Sequence, residues 1–271
     1  MAFHAGTIHP QNPPDKGGCW QQADAGACRC GYLEFVGGFA QTPGMKTVAE
    51  IQDAISKLSE NEQGELFRWL EIHLGMGEMV EQVARLTQCY EIWWEIVNSK
   101  NVKRYDDVLK EYRDFFEPVT HILLWQGFFV ICWQLFDESR DSKHIKFRID
   151  QVAQTNAHLA DELRKKIKGC DVLSKIKTVR NKVSAHRDRN RFPQQVVKDA
   201  GVIVKELKAV VVFVQDIVST LVEALGVEKK SAVMQKISAC ENSTHDCTFQ
   251  VLQALAKSLR DASGAGPAQP E

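Results

Sequence analysis

The sequence predicts an all-α protein, and three observations carry that expectation. Apolar residues recur at steps of three and four across most of residues 78–225. Two capping boxes open the first regular segments. No hairpin turn and no alternation of strand with helix breaks the pattern. The expected architecture is an up-and-down helical bundle, preceded by a short helical hairpin and a disordered N-terminal stretch.

Bulk properties set the outer limits. A chain of 271 residues suffices for one substantial core and a small accessory unit. With 44% apolar and 25% charged residues it has the composition of an ordinary globular protein. A formal net charge of −1 argues against a generally basic nucleic-acid binder, so polyanion binding would need local charge asymmetry. The eight cysteines form no CxxC pair, and residues 1–20 lack an apolar signal core. Free thiols in a reducing, cytoplasmic setting are expected.

Residues 1–44 are rich in Gly, Pro, Gln and Cys without apolar period and read as disordered. Regular patterning starts directly after Pro43-Gly44, so Met45 reads as the natural start and the preceding stretch as a mis-called extension. Thr47 with Glu50, then Ser59 with Glu62, each make a capping box ahead of an apolar run. These predict an accessory helical hairpin over residues 45–75, with Gly75 and Gly77 breaking the second helix.

The main bundle is expected over residues 78–227. Val80, Val83, Thr87, Tyr90, Trp94 and Val97 mark one amphipathic helix; Val102, Tyr105, Leu109, Tyr112 and Phe115 repeat the pattern up to Pro118. Val119–Phe136 is apolar enough to raise the question of a membrane span. It is barely long enough and carries His121, Gln126 and Gln134, so a buried central helix is expected and no membrane. The polar stretch Asp137–Asp150 predicts a loop. Helices follow over Leu159–Lys168, from Asp171, and from Phe192-Pro193 to a stop at Gly226. Residues 228–271 read as a tail with one further helix at Phe249–Leu259.

The most informative stretch is Arg164–Arg191, where eleven Lys and Arg residues face only Asp171 and Asp188. A charge run is usually a solvated helix face. This one is nearly single-signed and continues past the helix, as phosphate binding requires. Within it stands Val179-Arg-Asn-Lys-Val-Ser-Ala-His186. On a helix, Arg180 and His186 flank an apolar stripe of Val172, Ile176, Val179 and Val183, about 9 Å apart along the axis. One straight helix does not aim both at one phosphate. Convergence needs a helix end near His186, or a second copy of the helix across a two-fold axis.

The same residues carry a family resemblance. The Arg-Asn-(four residues)-His motif ending a basic helix resembles the signature of the HEPN superfamily. The longer string from Lys175 to Asp188, with Leu135-Phe136-Asp137 upstream, resembles its AbiU-type abortive-infection branch. The resemblance covers roughly Glu78–Leu225. It implies a metal-independent endoribonuclease acting as a homodimer through the motif helix, a toxin or anti-phage effector, with RNA as substrate and an antitoxin as a further protein partner. Carried over, His186 would be the general base, Arg180 the phosphate ligand and Asn181 an orienting group. Lys177, Lys182, Arg187, Arg189 and Arg191 would steer RNA. No cofactor and no metal are expected. The rival readings are a catalytically silent RNA- or nucleotide-binding module and a purely structural helical partner. The intact motif favours the enzyme over the module, and the basic flank favours both over the scaffold.

Other constellations weigh less. Cys240, His245 and Cys247 have metal-ligand chemistry without a fourth ligand or a standard spacing. Trp93, Trp94, Trp125 and Trp133 fall on apolar helical faces, where core packing is the usual role. No phosphate-binding glycine loop or nucleophile elbow is present.

Overall fold

The computed structural model describes residues 47–137, 144–182 and 193–263, all within one compact unit spanning Met45–Glu271. In chain order the elements are α1 (Val48–Ser56), α2 (Glu60–Val97), α3 (Ser99–Arg104), α4 (Asp106–Glu111) and α5 (Arg113–His121). A π-helical segment (Ile122–Phe129) leads into α6 (Val130–Phe136). Then come α7 (Ile145–Ala153), α8 (Ala157–Lys168), α9 (Asp171–Arg180), α10 (Pro193–Asp199), α11 (Val204–Ala224) and α12 (Lys230–Ala262). Among the described residues there is no strand, and the all-α expectation holds. The expectation for residues 1–44 lies outside the described residues.

Both capping boxes form. Thr47 and Ser59 accept from the backbone N–H groups of Glu50 and Glu62, whose carboxylates reach back to the cap nitrogens. The expected break at Gly75 and Gly77 is absent, because α2 runs unbroken for 38 residues. Tertiary packing explains why. A Cβ on Gly75 would lie 1.7 Å from Arg148 Nη2, so the missing side chain is what lets a buried arginine lie against the helix. Arg148 is fully buried, donates to Gln151 Oε1 at 2.8 Å, and packs with its guanidinium 5.2 Å from the Phe147 ring centroid. The Arg148 Nε has no hydrogen-bond partner. Such an orphan costs about 1–3 kcal/mol, so the site is tolerated rather than optimal.

The buried face of α2 starts only at Met76, and α1 buries nothing. Beyond that point α2 is the spine on which α11, α12, α6 and the π-helical segment pack. The main core joins Val83, Leu86 and Tyr90 of α2 to Phe128 and Phe129, to Val210, Val214 and Ile217 of α11, and to Val233 and Ile237 of α12. A second, smaller cluster gathers Ile96, Tyr105, Val108, Phe116 and Leu252 where α3–α5 meet the far half of α12.

Several sequence expectations are corrected. The single helix expected up to Pro118 is three short ones, separated at Tyr105 and Tyr112, whose φ/ψ values (−118/27 and −102/30) leave the helical region. Burial of Tyr105 in the second cluster outweighs helix continuity. Pro118 sits inside α5. The apolar helix continues through it as a π turn. The stretch Arg113–Phe136 is long and apolar enough to cross a membrane, yet Trp125, Phe128, Phe129, Cys132 and Leu135 within it are core residues. The end of the expected Asp137–Asp150 loop is helical, since Ile145, Ile149 and Val152 bury one face of α7. The helix expected from Phe192-Pro193 to Gly226 is interrupted at Gly201, whose φ of 64° suits glycine alone without strain. The tail helix is much longer than expected, 33 residues from Lys230 to Ala262.

Gly75→Ala is expected to destabilise the protein by about 1–3 kcal/mol, because the new methyl must displace a buried guanidinium. Urea unfolding of Gly75→Ala alone and in an Arg148→Ala background checks this: the penalty shrinks in the second background if the two residues are coupled.

Candidate functional site

The motif helix α9 is held from one side. Leu173, Ile176 and Val179 are buried against α6, the π-helical segment and α11. The spacing that buries these three turns Lys177 outward, and Lys182, in the π-helical turn that continues α9, is exposed. Arg180 is the last α-helical residue and half-buried. Its Nη1 donates to Asn181 Oδ1 at 3.0 Å, so two of the three motif residues form one hydrogen-bonded unit. Lys177 Nζ lies 5.1 Å from the ring centroid of Trp133 on α6. That cation–π contact fixes the ammonium beside the motif. Trp133 is only half-buried and so is a rim residue, not the core residue expected for it.

The basic run is less free than its residue count implies. Arg164 pairs with Asp150 (2.7 Å) and Asp161 (2.9 Å), and Lys166 pairs with Asp216. Lys175 pairs with Glu206 (2.5 Å) and donates to the Gly201 carbonyl (2.9 Å). These carboxylates come mostly from α7 and α11, which a local charge count cannot see. Among the described residues, Lys165, Lys168, Lys177, Arg180 and Lys182 make no ion pair. The free positive charge is therefore concentrated toward the helix ends, with three of the five at the motif. Burial raises the Asp216 carboxyl, but Lys166 and Lys230 outweigh it and hold the group below its ordinary value.

His186, Arg187, Arg189 and Arg191 lie outside the described residues, as does Val183 of the expected stripe. Of the expected site residues, the structure joins Arg180 to Asn181 by a hydrogen bond and sets Lys177 against Trp133, with Lys182 exposed.

One polar cluster was not anticipated from the sequence. Lys208 of α11 bridges Glu91 of α2 (2.5 Å) and Glu241 of α12 (2.6 Å), and one turn along, His245 Nδ1 lies 3.0 Å from Glu95 Oε1. The signal was present as carboxylate and imidazole pairs four residues apart on two long helices. Burial pushes the Glu91 carboxyl up against the pull of Lys208. The groups satisfy one another and form a polar seam between three helices. His245 thus faces a carboxylate, and among the described residues no group of His, Cys, Asp or Glu is placed to hold a metal ion. Among the described residues the five cysteines form no disulfide.

A family model described as AbiU2, of the HEPN type, matches residues 76–236. That range covers α2 from its first buried residue through the start of α12, and it contains the whole motif. No curated protein and no solved structure matches the chain.

The Asp216 pairing yields a signed expectation. A carboxylate held below its unfolded value of 3.8 stabilises the fold above that pH, and the contribution is lost as pH falls through the folded value. Asp216→Asn should therefore lower stability at neutral pH and flatten the acid limb below about pH 4. Urea unfolding followed from pH 2 to pH 7 reads both effects.

Proposed function

The chain belongs to the AbiU2 family of HEPN domains, and from that premise we propose that it is a metal-independent endoribonuclease serving as a toxin or anti-phage effector. The observation that carries this reading is the hydrogen-bonded pair of Arg180 and Asn181 at the end of α9, flanked by cations without carboxylate partners. A guanidinium held this way presents its remaining N–H donors to a phosphodiester.

In the proposed reaction His186 takes the proton from a ribose 2′-hydroxyl, a task suited to an imidazole titrating near neutrality. The 2′-oxygen attacks phosphorus while Arg180 stabilises the charge gathering on the phosphorane oxygens. The bond to the 5′-oxygen breaks and that oxygen takes up a proton. The products are a 2′,3′-cyclic phosphate and a 5′-hydroxyl end, and DNA is inert because it lacks the nucleophile. Asn181 orients Arg180 through the hydrogen bond described above. Lys177, Lys182, Arg187, Arg189 and Arg191 draw RNA toward the motif. The spacing of Arg180 and His186 along the chain supports a composite site in which two copies of the motif helix meet in a homodimer. A toxin of this kind would work in the cytoplasm and be restrained by an antitoxin protein.

Incubation of the full chain with total RNA in EDTA tests the proposal. Cleavage with cyclic-phosphate ends is expected for the parent. His186→Ala and Arg180→Ala are each expected to lower the rate at least a hundredfold. Binding without cleavage by all three proteins would overturn the enzymatic reading in favour of an RNA-binding module. Lys182→Ala should retain chemistry but show a shallower dependence of RNA affinity on salt.

A further inference from the structure

Far from the motif in sequence, the short helix α3 and the last turns of α12 border a half-open cavity of about 350 Å³ lined by Arg104, Tyr105, Gln253, Ala256, Lys257 and Arg260. Gln253, Ala256, Lys257 and Arg260 stand at steps of three and four, so they form one stripe of α12. The short Ala256 side chain in the middle of that stripe leaves the hollow, with longer polar groups standing around it. Three of the six lining residues are cations, and no carboxylate is among them. Among the described residues none of the three makes an ion pair, although Asp106 next to Tyr105 is engaged by Lys110 at 2.6 Å.

A further feature sets this cavity apart from an ordinary basic surface. The Arg104 guanidinium lies 5.5 Å from the Tyr105 ring centroid and 5.0 Å from that of Phe249. It is thus placed by two aromatic faces instead of by an acid, and its fork of N–H donors remains unused. Tyr105 is 4% exposed, and its buried hydroxyl has no hydrogen-bond partner. The hydroxyl is closed off from solvent and so lies behind the wall of the hollow, where its missing partner is a cost the structure leaves uncompensated.

We propose that this cavity binds a small polyphosphorylated anion, a di- or triphosphate group, at a site separate from the nuclease motif. Three unpaired cations around one hollow match an ion of two or more charges better than a single carboxylate. The hollow has the size of a small-molecule site, and its cations stand around one point instead of along an extended stripe as in a nucleic-acid track. Four of the six lining residues come from residues 253–260, beyond the residues 76–236 that match the family model. The inference does not rest on the ribonuclease reading.

Isothermal titration calorimetry of the full chain with sodium tripolyphosphate, free of divalent cations and at low salt, tests it. Saturable binding at one site per chain is expected, with orthophosphate at least tenfold weaker. Lys257→Ala and Arg260→Ala are exposed substitutions expected to weaken tripolyphosphate at least tenfold each, and Arg180→Ala to leave it unchanged. Absence of saturable binding to the parent would overturn the proposal. So would affinity lost in Arg180→Ala but kept in Lys257→Ala, which places the anion at the motif. Loss of RNA binding in Lys257→Ala with tripolyphosphate binding intact would equally overturn it, since the patch would then be an RNA track.

Discussion

The structure depends first on the burial of one face of α2 from Met76 onward. Every element that positions the motif helix rests on that face or on a neighbour of it: the π-helical segment and α6 directly, α11 across the core, and α9 wedged against all three. The placement of Arg180 is therefore a tertiary property. Its backbone is fixed by Leu173, Ile176 and Val179 on the opposite side of α9, and the cationic edge is what that packing leaves outside. The same spine carries the polar seam of Glu91, Lys208 and Glu241, where three helices meet through charge as well as through apolar contact.

Part of the basic run is used up in ion pairs between elements. Arg164, Lys166 and Lys175 are matched to carboxylates from other elements and act as clamps between helices. Among the described residues Lys177, Arg180 and Lys182 have no carboxylate partner. Exposed ion pairs contribute little individually to stability. Their effect here is to neutralise part of the positive charge of the run.

The helical class was legible because it rests on local rules that the core reinforces. Thr47, Ser59, Gly169 and Gly226 mark helix ends in the sequence, and helix ends are found beside each. The motif was legible because Arg180, Asn181 and the cations around them are contiguous. What escaped depends on partners distant in sequence. Gly75 and Gly77 read as breakers until Arg148 is seen packed against the first of them. Tyr105 and Tyr112 carry no breaking chemistry; they interrupt helices because a second cluster needs Tyr105. Helix α12 has only Val233, Ile237 and Leu252 buried in 33 residues, too sparse a stripe to announce its length. Trp133 looked like a core residue because periodicity gives its face of α6 but not how completely that face is covered.

The π-helical segment at Ile122–Phe129 has a geometric consequence for the helix that contains it. Each wider turn takes up more residues than an α turn, so the azimuth of the side chains after Phe129 lags behind a regular extrapolation from α5. Cys132 and Leu135 point at the core because of that lag, and Trp133 points at Lys177 for the same reason. A phase correction of this sort ties the reading frame of the hydrophobic face to an exact residue tally, in the way a vernier ties two scales. The length of this stretch is thereby constrained more tightly than its composition: exchanging one apolar residue for another alters volume, whereas adding or dropping one rotates everything downstream.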